Sequence, residues 1–290
     1  MICEKIIELL EQQAPKAYAC EWDNVGLLVG SREKEVRRIF IALDATDETI
    51  AEAVALDADL LLPHHPMIFR GLKKVNTSDF IGRRVIELIR NDISYYAMHT
   101  NFDVSDMADL AAERMGLVDT AVLQPTGWSV ESMQSDSVEA GGTSEDVCAS
   151  QDKAEQRAVV GIGKVGMLPR TMTLRECAEE TKRAFGVDTV KVFADFGEAL
   201  GKPVQKIAIC PGSGKSVIED ALRAGAQVLI TGDIDHHEGI DAVARGMAVI
   251  DAGHYGVEKI FIPYMKQYLE ERLEGVEVIA QEPKQPFLYI

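Results

Sequence analysis

Two adjacent histidines, His64 and His65, follow the apolar run Leu60-Leu-Leu-Pro63, and the chain's four other histidines fall in two further short segments. One is Met98-His99-Thr-Asn-Phe-Asp103. The other runs from Asp233-Ile-Asp-His236-His237-Glu238 to Asp251-Ala-Gly-His254-Tyr-Gly-Val-Glu258. Every segment carries carboxylates and sits near the end of an expected strand. Imidazole nitrogens and hard oxygens together are the donor set of a divalent transition metal, so the sequence reads first as that of a metal-site protein. Spacing sharpens the reading. Neighbours on a strand point to opposite faces, so His64 and His65 cannot serve one ion there. Pro63 ends the strand, however, and Pro66 keeps His65 extended, which lets each ring reach a separate ion. His254 and Glu258, four apart at a helix start, share one face, and Gly253 and Gly256 permit close backbone approach. His99 and Asp103 have the same spacing, although Asn101 and Asp103 also suit a turn. His236, His237 and Glu238 suit substrate contact or support of a ligand, with helix-start polarity as the competing reading. Asp23 and Asn24, in Glu21-Trp-Asp-Asn-Val-Gly26, suit either a cleft lining or a turn.

Strand and helix signals alternate along the 290 residues, which predicts α/β architecture. Ile2, Ile6, Leu9 and Leu10 make the start an amphipathic helix. Strands are expected at 26–30, 38–44, 60–63, 93–98, 190–193 and 206–210, and a strand pair or long bent strand from 158. Helices are expected at 46–56, 81–90, 107–115 and 216–224. Another spans Thr173 to Gly186, capped at its start and stopped by glycine. An internal echo links residues 39–65 with 207–233, 168 positions on. A looser one links Tyr95–Asp103 with Ala248–His254. Two related α/β lobes flanking a cleft would bring both sets of strand ends together, where such sheets bind ligands. The expected organisation is a metal-binding lobe at 1–128, an acidic flexible insertion at 129–157 and a second lobe at 158–290. The last part of that second lobe, from about 246, returns ligands to the cleft. The insertion is small, polar and acidic, too poor in apolar area to offset ordering entropy.

Thirty basic against 47 acidic residues give a net charge of −17, which argues against nucleic acid as a partner. The five cysteines include no C-x-x-C pair and read as buried reduced thiols. The start is no secretory signal and no run reaches membrane-span length, so the cytoplasm is the expected compartment. Pro211-Gly-Ser-Gly-Lys-Ser216 follows a strand and opens a helix as a P-loop does. The full pattern needs glycine at 209, which is isoleucine here, so nucleotide hydrolysis through that loop is rejected.

Five motifs taken in order carry a resemblance across nearly the whole chain: Glu21-Trp-Asp-Asn-Val-Gly-Leu-Leu-Val-Gly30, Leu61-Leu-Pro-His-His-Pro-Met-Ile-Phe69, His99-Thr-Asn-Phe-Asp103, Thr231-Gly-Asp-Ile-Asp-His-His237 and Asp251-Ala-Gly-His-Tyr-Gly-Val-Glu258. Together they resemble the YbgI-like dinuclear metal family, often labelled type 2 GTP cyclohydrolase I. The resemblance implies two α/β lobes with a two-metal site between them, and a toroidal homohexamer built as a trimer of dimers. It further implies metal ligands His64, His65, Asp103, His254 and Glu258, the glutamate bridging, with His99 and His237 near the site as candidate catalytic residues. Two divalent ions per chain, of zinc, iron, manganese, cobalt or nickel, would acidify a bridging water near neutral pH. The expected function is metal-dependent hydrolysis of a small molecule, with ring opening of the GTP cyclohydrolase type as one form. A non-catalytic metal-storage, metal-delivery or interaction scaffold is the alternative.

Overall fold

The computed structural model describes residues 1–129, 158–195 and 199–287. Apart from Ser129, the acidic stretch expected to be a flexible insertion lies outside the described residues. The chain is mixed α/β, with two sheets. The first has order β1-β4-β3-β2-β11, from strands β1 (Gly26–Val29), β2 (Arg38–Ala42), β3 (Leu60–Pro63), β4 (Ser94–Ala97) and β11 (Glu277–Ala280). The second has order β5-β6-β8-β9-β10-β7. Its strands are β5 (Val118–Trp128), β6 (Val159–Thr173), β7 (Lys191–Phe193), β8 (Pro203–Ser213), β9 (Val228–Gly232) and β10 (Ala248–Asp251).

The internal echo reappears as register. Ile39, Phe40 and Ile41 of β2 lie opposite Leu60, Leu61 and Leu62 of β3. Ile207, Ala208 and Ile209 of β8 lie opposite Val228, Leu229 and Ile230 of β9, the same pairing 168 positions later. Both pairs are parallel, and β4 and β10 complete the matching orders β4-β3-β2 and β10-β9-β8. Parallel strands are covered on both faces, which is why they read as continuous apolar runs. Ile39, Ile41, Leu60 and Leu62 face a central cluster shared with Ile207, Ile209, Val228 and Ile230. Phe40, Leu61 and Tyr95 face outward under α2 (Asp47–Ala55) and α3 (Phe80–Arg90), and Ala208, Leu229 and Val249 face outward under α7 (Ile218–Arg223) and α8 (His236–Ala244).

Sheet membership does not follow a single cut in the chain. β5 joins the second sheet through β6, while β11 returns to pair with β2. Helices α1 (Cys3–Gln13) and α10 (Phe261–Glu270) contribute to the central cluster. In α1 the buried face is Cys3, Ile6, Ile7 and Leu10. Ile2, expected on that face, precedes the helix, is 53% exposed and makes an isolated bridge with Glu35. α6 (Leu174–Phe185) has the anticipated boundaries: Thr173 and Glu176 form a reciprocal capping box, and Gly186 takes the left-handed conformation. Of the cysteines, Cys3, Cys20, Cys177 and Cys210 are free thiols. No helix among the described residues is long and apolar enough to cross a membrane.

Candidate metal centre

The chemistry-bearing residues other than Asp23 and Asn24, which precede β1, lie at or beyond the carboxyl ends of β2, β3, β4, β8, β9 and β10. Past β3 the chain keeps its pairing for two more residues, with His64 N donating to Ala42 O at 3.3 Å and His65 N to Leu43 O at 3.0 Å. Tyr95 then clamps the exit: its hydroxyl donates to His65 O and accepts from Met67 N, both at 2.9 Å. The two rings separate as a result. His64 is wholly buried and packs 5.2 Å from the Phe261 ring and 6.2 Å from Phe102. His65, with its ring centroid 4.8 Å away, faces a cleft. Beyond β4, Asp103 opens a π-helical turn, Asp103–Met107, a distortion that recurs at functional sites. Beyond β10, α9 (His254–Glu258) presents its first and last residues on one face.

These elements bring together the five residues that the resemblance marked as ligands. His64 Nε2 lies 3.4 Å from Asp103 Oδ1 and 3.8 Å from Glu258 Oε1. On the other side of the same carboxylate, Glu258 Oε2 lies 3.0 Å from His65 Nε2 and 2.9 Å from His254 Nε2. His65 Nε2 and His254 Nε2 are themselves 3.2 Å apart. Two donor groups result, His64–Asp103–Glu258 and His65–His254–Glu258, each with its donor atoms within 4.8 Å of one another, and Glu258 belongs to both. A third, His64–His65–His99, brings His99 to the same place. His237 is not among them. It is exposed at the start of α8, with its ring 5.3 Å from that of His236.

Three of the rings are backed by a carboxylate at Nδ1: His65 by Asp44 at 2.8 Å, His99 by Asp23 at 2.9 Å and His254 by Asp233 at 2.9 Å. Such a partner fixes the tautomer and directs Nε2 inward, as carboxylate-backed imidazoles do at metal sites. Of the three, the sequence pointed to Asp23 alone as a cleft-lining residue. Asp44 and Asp233 are separated from their rings by 21 residues; the only signal was an acid just past each strand end. Asp233 holds a left-handed φ of 53° while it backs His254, a conformation aspartate tolerates better than most residues.

The unpartnered atoms fit a cation. Both ring nitrogens of His64 and Asp103 Oδ1 are buried without a hydrogen-bond partner, an arrangement costly in a finished core and expected of donors that coordinate an ion. Electrostatics agree. Burial opposes charge on Glu258, which is 2% exposed, yet the imidazoles of His65 and His254 hold its carboxyl well below the ordinary range. Burial likewise opposes a charged His65, but Glu258 and Asp44 push its pKa up to about 10. His254 is pushed up to about 9 against its own burial, by Glu258 with help from Asp233. Asp23, although burial raises it, is brought down to about 2 by His99 and Thr100.

The loop that imitates a P-loop also ends here. Gly212, at φ 75°, sits against the bridging carboxylate, and a Cβ placed on it would meet Glu258 Oε1 at 2.4 Å. Glycine in that loop thus makes room for a side chain of the site. Lys259, next to Glu258, turns away from the site to donate to Gly186 O at 2.7 Å.

Residues 1–286 match the family described as Duf34/NIF3 (NGG1p interacting factor 3). The chain belongs to this family. A relative from Clostridium perfringens named GTP cyclohydrolase 1 type 2 homolog is 35% identical over 287 residues, 98% of each chain. The solved structure of a Bacillus cereus protein related to NIF3 superposes with a TM-score of 0.84 at 28% identity, covering 100% of this chain and 99% of that one. The solved structure of protein ybgI, at 22% identity, shares the fold with a TM-score of 0.76 over 98% of this chain and all of that one.

Proposed function

We propose that the chain is a metal-dependent hydrolase that holds two divalent ions and opens the ring of a small molecule by adding water across a C–N bond. His64, Asp103 and Glu258 hold one ion; His65, His254 and Glu258 hold the other. One observation carries the reading: a single buried carboxylate belongs to two donor groups at once, and in one of them the His64 ring nitrogens and Asp103 Oδ1 are buried without a hydrogen-bond partner. Three imidazoles and two carboxylates without thiolate suit zinc, iron, manganese, cobalt or nickel. Divalent ions bound there supply Lewis acidity, polarising a substrate atom and acidifying water. The chain's own part is positioning and proton handling. Asp23 fixes His99 at Nδ1, leaving Nε2 to face the reacting atoms. In the reaction the water oxygen bonds carbon and the C–N bond breaks, while His99 takes a proton from that water and passes it to the leaving nitrogen. The Trp22 and Phe69 rings lie edge-on to that of His99, 5.9 and 5.8 Å away. The relatives' name, GTP cyclohydrolase 1 type 2 homolog, supports a ring-opening hydrolase, and the family resemblance supports a cytoplasmic homohexamer.

The test is metal content per chain and turnover of cyclic amide, amidine and purine compounds by native protein and His64→Ala. The reading expects two ions, and turnover lost with chelation and in the variant. Tight metal with no turnover of any such compound would favour the scaffold.

A further inference from the structure

Between Met67 and Phe80 the chain leaves the metal cleft and comes back to it. Met67 and Phe69 line the hollow of about 710 Å³ above His65, His99 and His254, and Phe80 and Ile81 of α3 line it again. The segment between is tied down at both ends. Asn24 Nδ2 donates to Ile68 O at 2.6 Å. At the far end Asn76 Oδ1 accepts from Ser78 N at 3.0 Å, and Asp79 caps α3 by accepting from Gly82 N at 2.9 Å. Gly82 lets the Asn76 carbonyl lie against that first turn, since a Cβ there would meet Asn76 O at 2.4 Å. Residues 69–75 thus arch between two fixed points at the rim of the cleft, every one of them exposed. The arch carries Arg70, Lys73 and Lys74, three cations within five residues of a chain whose net charge is −17. Among the described residues, none of these three side chains has an ion pair or a hydrogen bond. The other cations about the cleft are engaged. Arg83 and Arg84 bind Asp47 at 3.0 and 2.6 Å, Lys191 binds Asp251 at 2.9 Å, and Lys215 binds Asp235. Solubility does not call for three free cations here, because the acidic remainder of the chain already supplies a large net charge.

We propose that Arg70, Lys73 and Lys74 form a cationic rim that draws anionic small molecules, of the phosphate or carboxylate class, onto the metal floor. The inference rests on the reading above that ions occupy the floor, and it names the charge of what reaches them. Two doubly charged ions there face Asp23, Asp44, Asp103, Asp233 and Glu258, so the floor has little positive charge to spare. The rest of the acidic chain repels an anion on its way in. Like charges gathered at the mouth of a cleft focus the field across its opening. At physiological salt that field reaches about 8 Å, so it acts on molecules entering the mouth. Side chains that hold no carboxylate of their own are free to turn toward the ligand.

The test is a triple variant, Arg70→Gln, Lys73→Gln and Lys74→Gln combined, which should fold because all three side chains are exposed. Cobalt-loaded protein is titrated with inorganic phosphate and with neutral imidazole at low ionic strength, read by the visible absorption of the metal. Phosphate should bind the variant about tenfold more weakly than the native protein, and imidazole equally well. High salt should erase the difference. Phosphate affinity unchanged in the variant, or imidazole weakened by the same factor, would overturn the proposal. A second measurement needs no metal. Trp22 is exposed, with its ring 5.9 Å from that of His99, and Trp128 is removed as a competing fluorophore by Trp128→Phe. Quenching of Trp22 by iodide, taken relative to neutral acrylamide, should fall about threefold in the triple variant. The two arms separate the readings. If the protein takes up no cobalt, the metal centre fails and the rim is judged on iodide alone: a fall upholds it, and an unchanged ratio sinks it.

Discussion

Glu258 is where the site's electrostatics are decided. Its carboxylate is buried between His64 on one side and His65 and His254 on the other, and both of the latter are raised above the ordinary histidine value of 6.5, to about 10 and about 9. The sign has two consequences. In the metal-free protein, the stability these rings contribute is full below about pH 6.5 and is lost as pH climbs through 9 and 10. Metal binding runs the other way, because an ion must displace those protons, so affinity grows over the same window. Calorimetric titration of zinc into metal-free protein at pH 7, in two buffers of different ionisation enthalpy, should show proton release. Heats that do not depend on the buffer would contradict it. At this scale the sequence was informative about ligands and silent about their support. His64, His65, Asp103, His254 and Glu258 stand in motifs, whereas Asp44 and Asp233 are ordinary strand-end acids until the fold brings them to a ring.

Elements position these residues through shared strand ends, and the pairing that does so was partly legible. The apolar runs 39–41 and 60–62, and their echoes at 207–209 and 228–230, predicted strands in two related lobes, and the structure pairs them in the same register. Burying each such side chain contributes roughly 1.5–3 kcal/mol, and because both faces of these strands are covered, each strand is held by packing on two sides. What periodicity could not show was partnership over long separations: β11 closing on β2, or Gly212 pressing on Glu258. That contact makes a controlled prediction. Gly212→Ala and Gly225→Ala both place alanine at a left-handed φ, 75° and 72°, but only the first meets the site; nothing lies within 4 Å of a Cβ at 225. Both variants should lose about 1–2 kcal/mol in thermal unfolding. Gly212→Ala alone should lose bound metal. Full metal content in Gly212→Ala, measured by elemental analysis, would show that the close approach is not needed.

Across the whole molecule the site joins segments from both sheets, so an ion there should stabilise the entire chain. Ligand at a hundred times its dissociation constant adds about 2.7 kcal/mol, and for a chain of this size each kcal/mol raises the melting temperature by roughly 2–4 °C. Chelation should therefore lower the melting temperature by roughly 5–10 °C, reversed by adding zinc; an unchanged melt would mean the ligands hold nothing. Light scattering should give six times the chain mass if the protein assembles as its family resemblance implies, and a monomer would remove that part of the account. The fold class was readable because β and α signals alternate. The sheet membership of β5 and β11 was not, because long-range pairing leaves no local pattern. The most direct measurement is anomalous diffraction at the zinc edge from crystals grown with zinc. The account predicts two peaks flanking the Glu258 carboxylate, one beside His64 and Asp103 and the other beside His65 and His254. A single peak elsewhere, or none at Glu258, would contradict it.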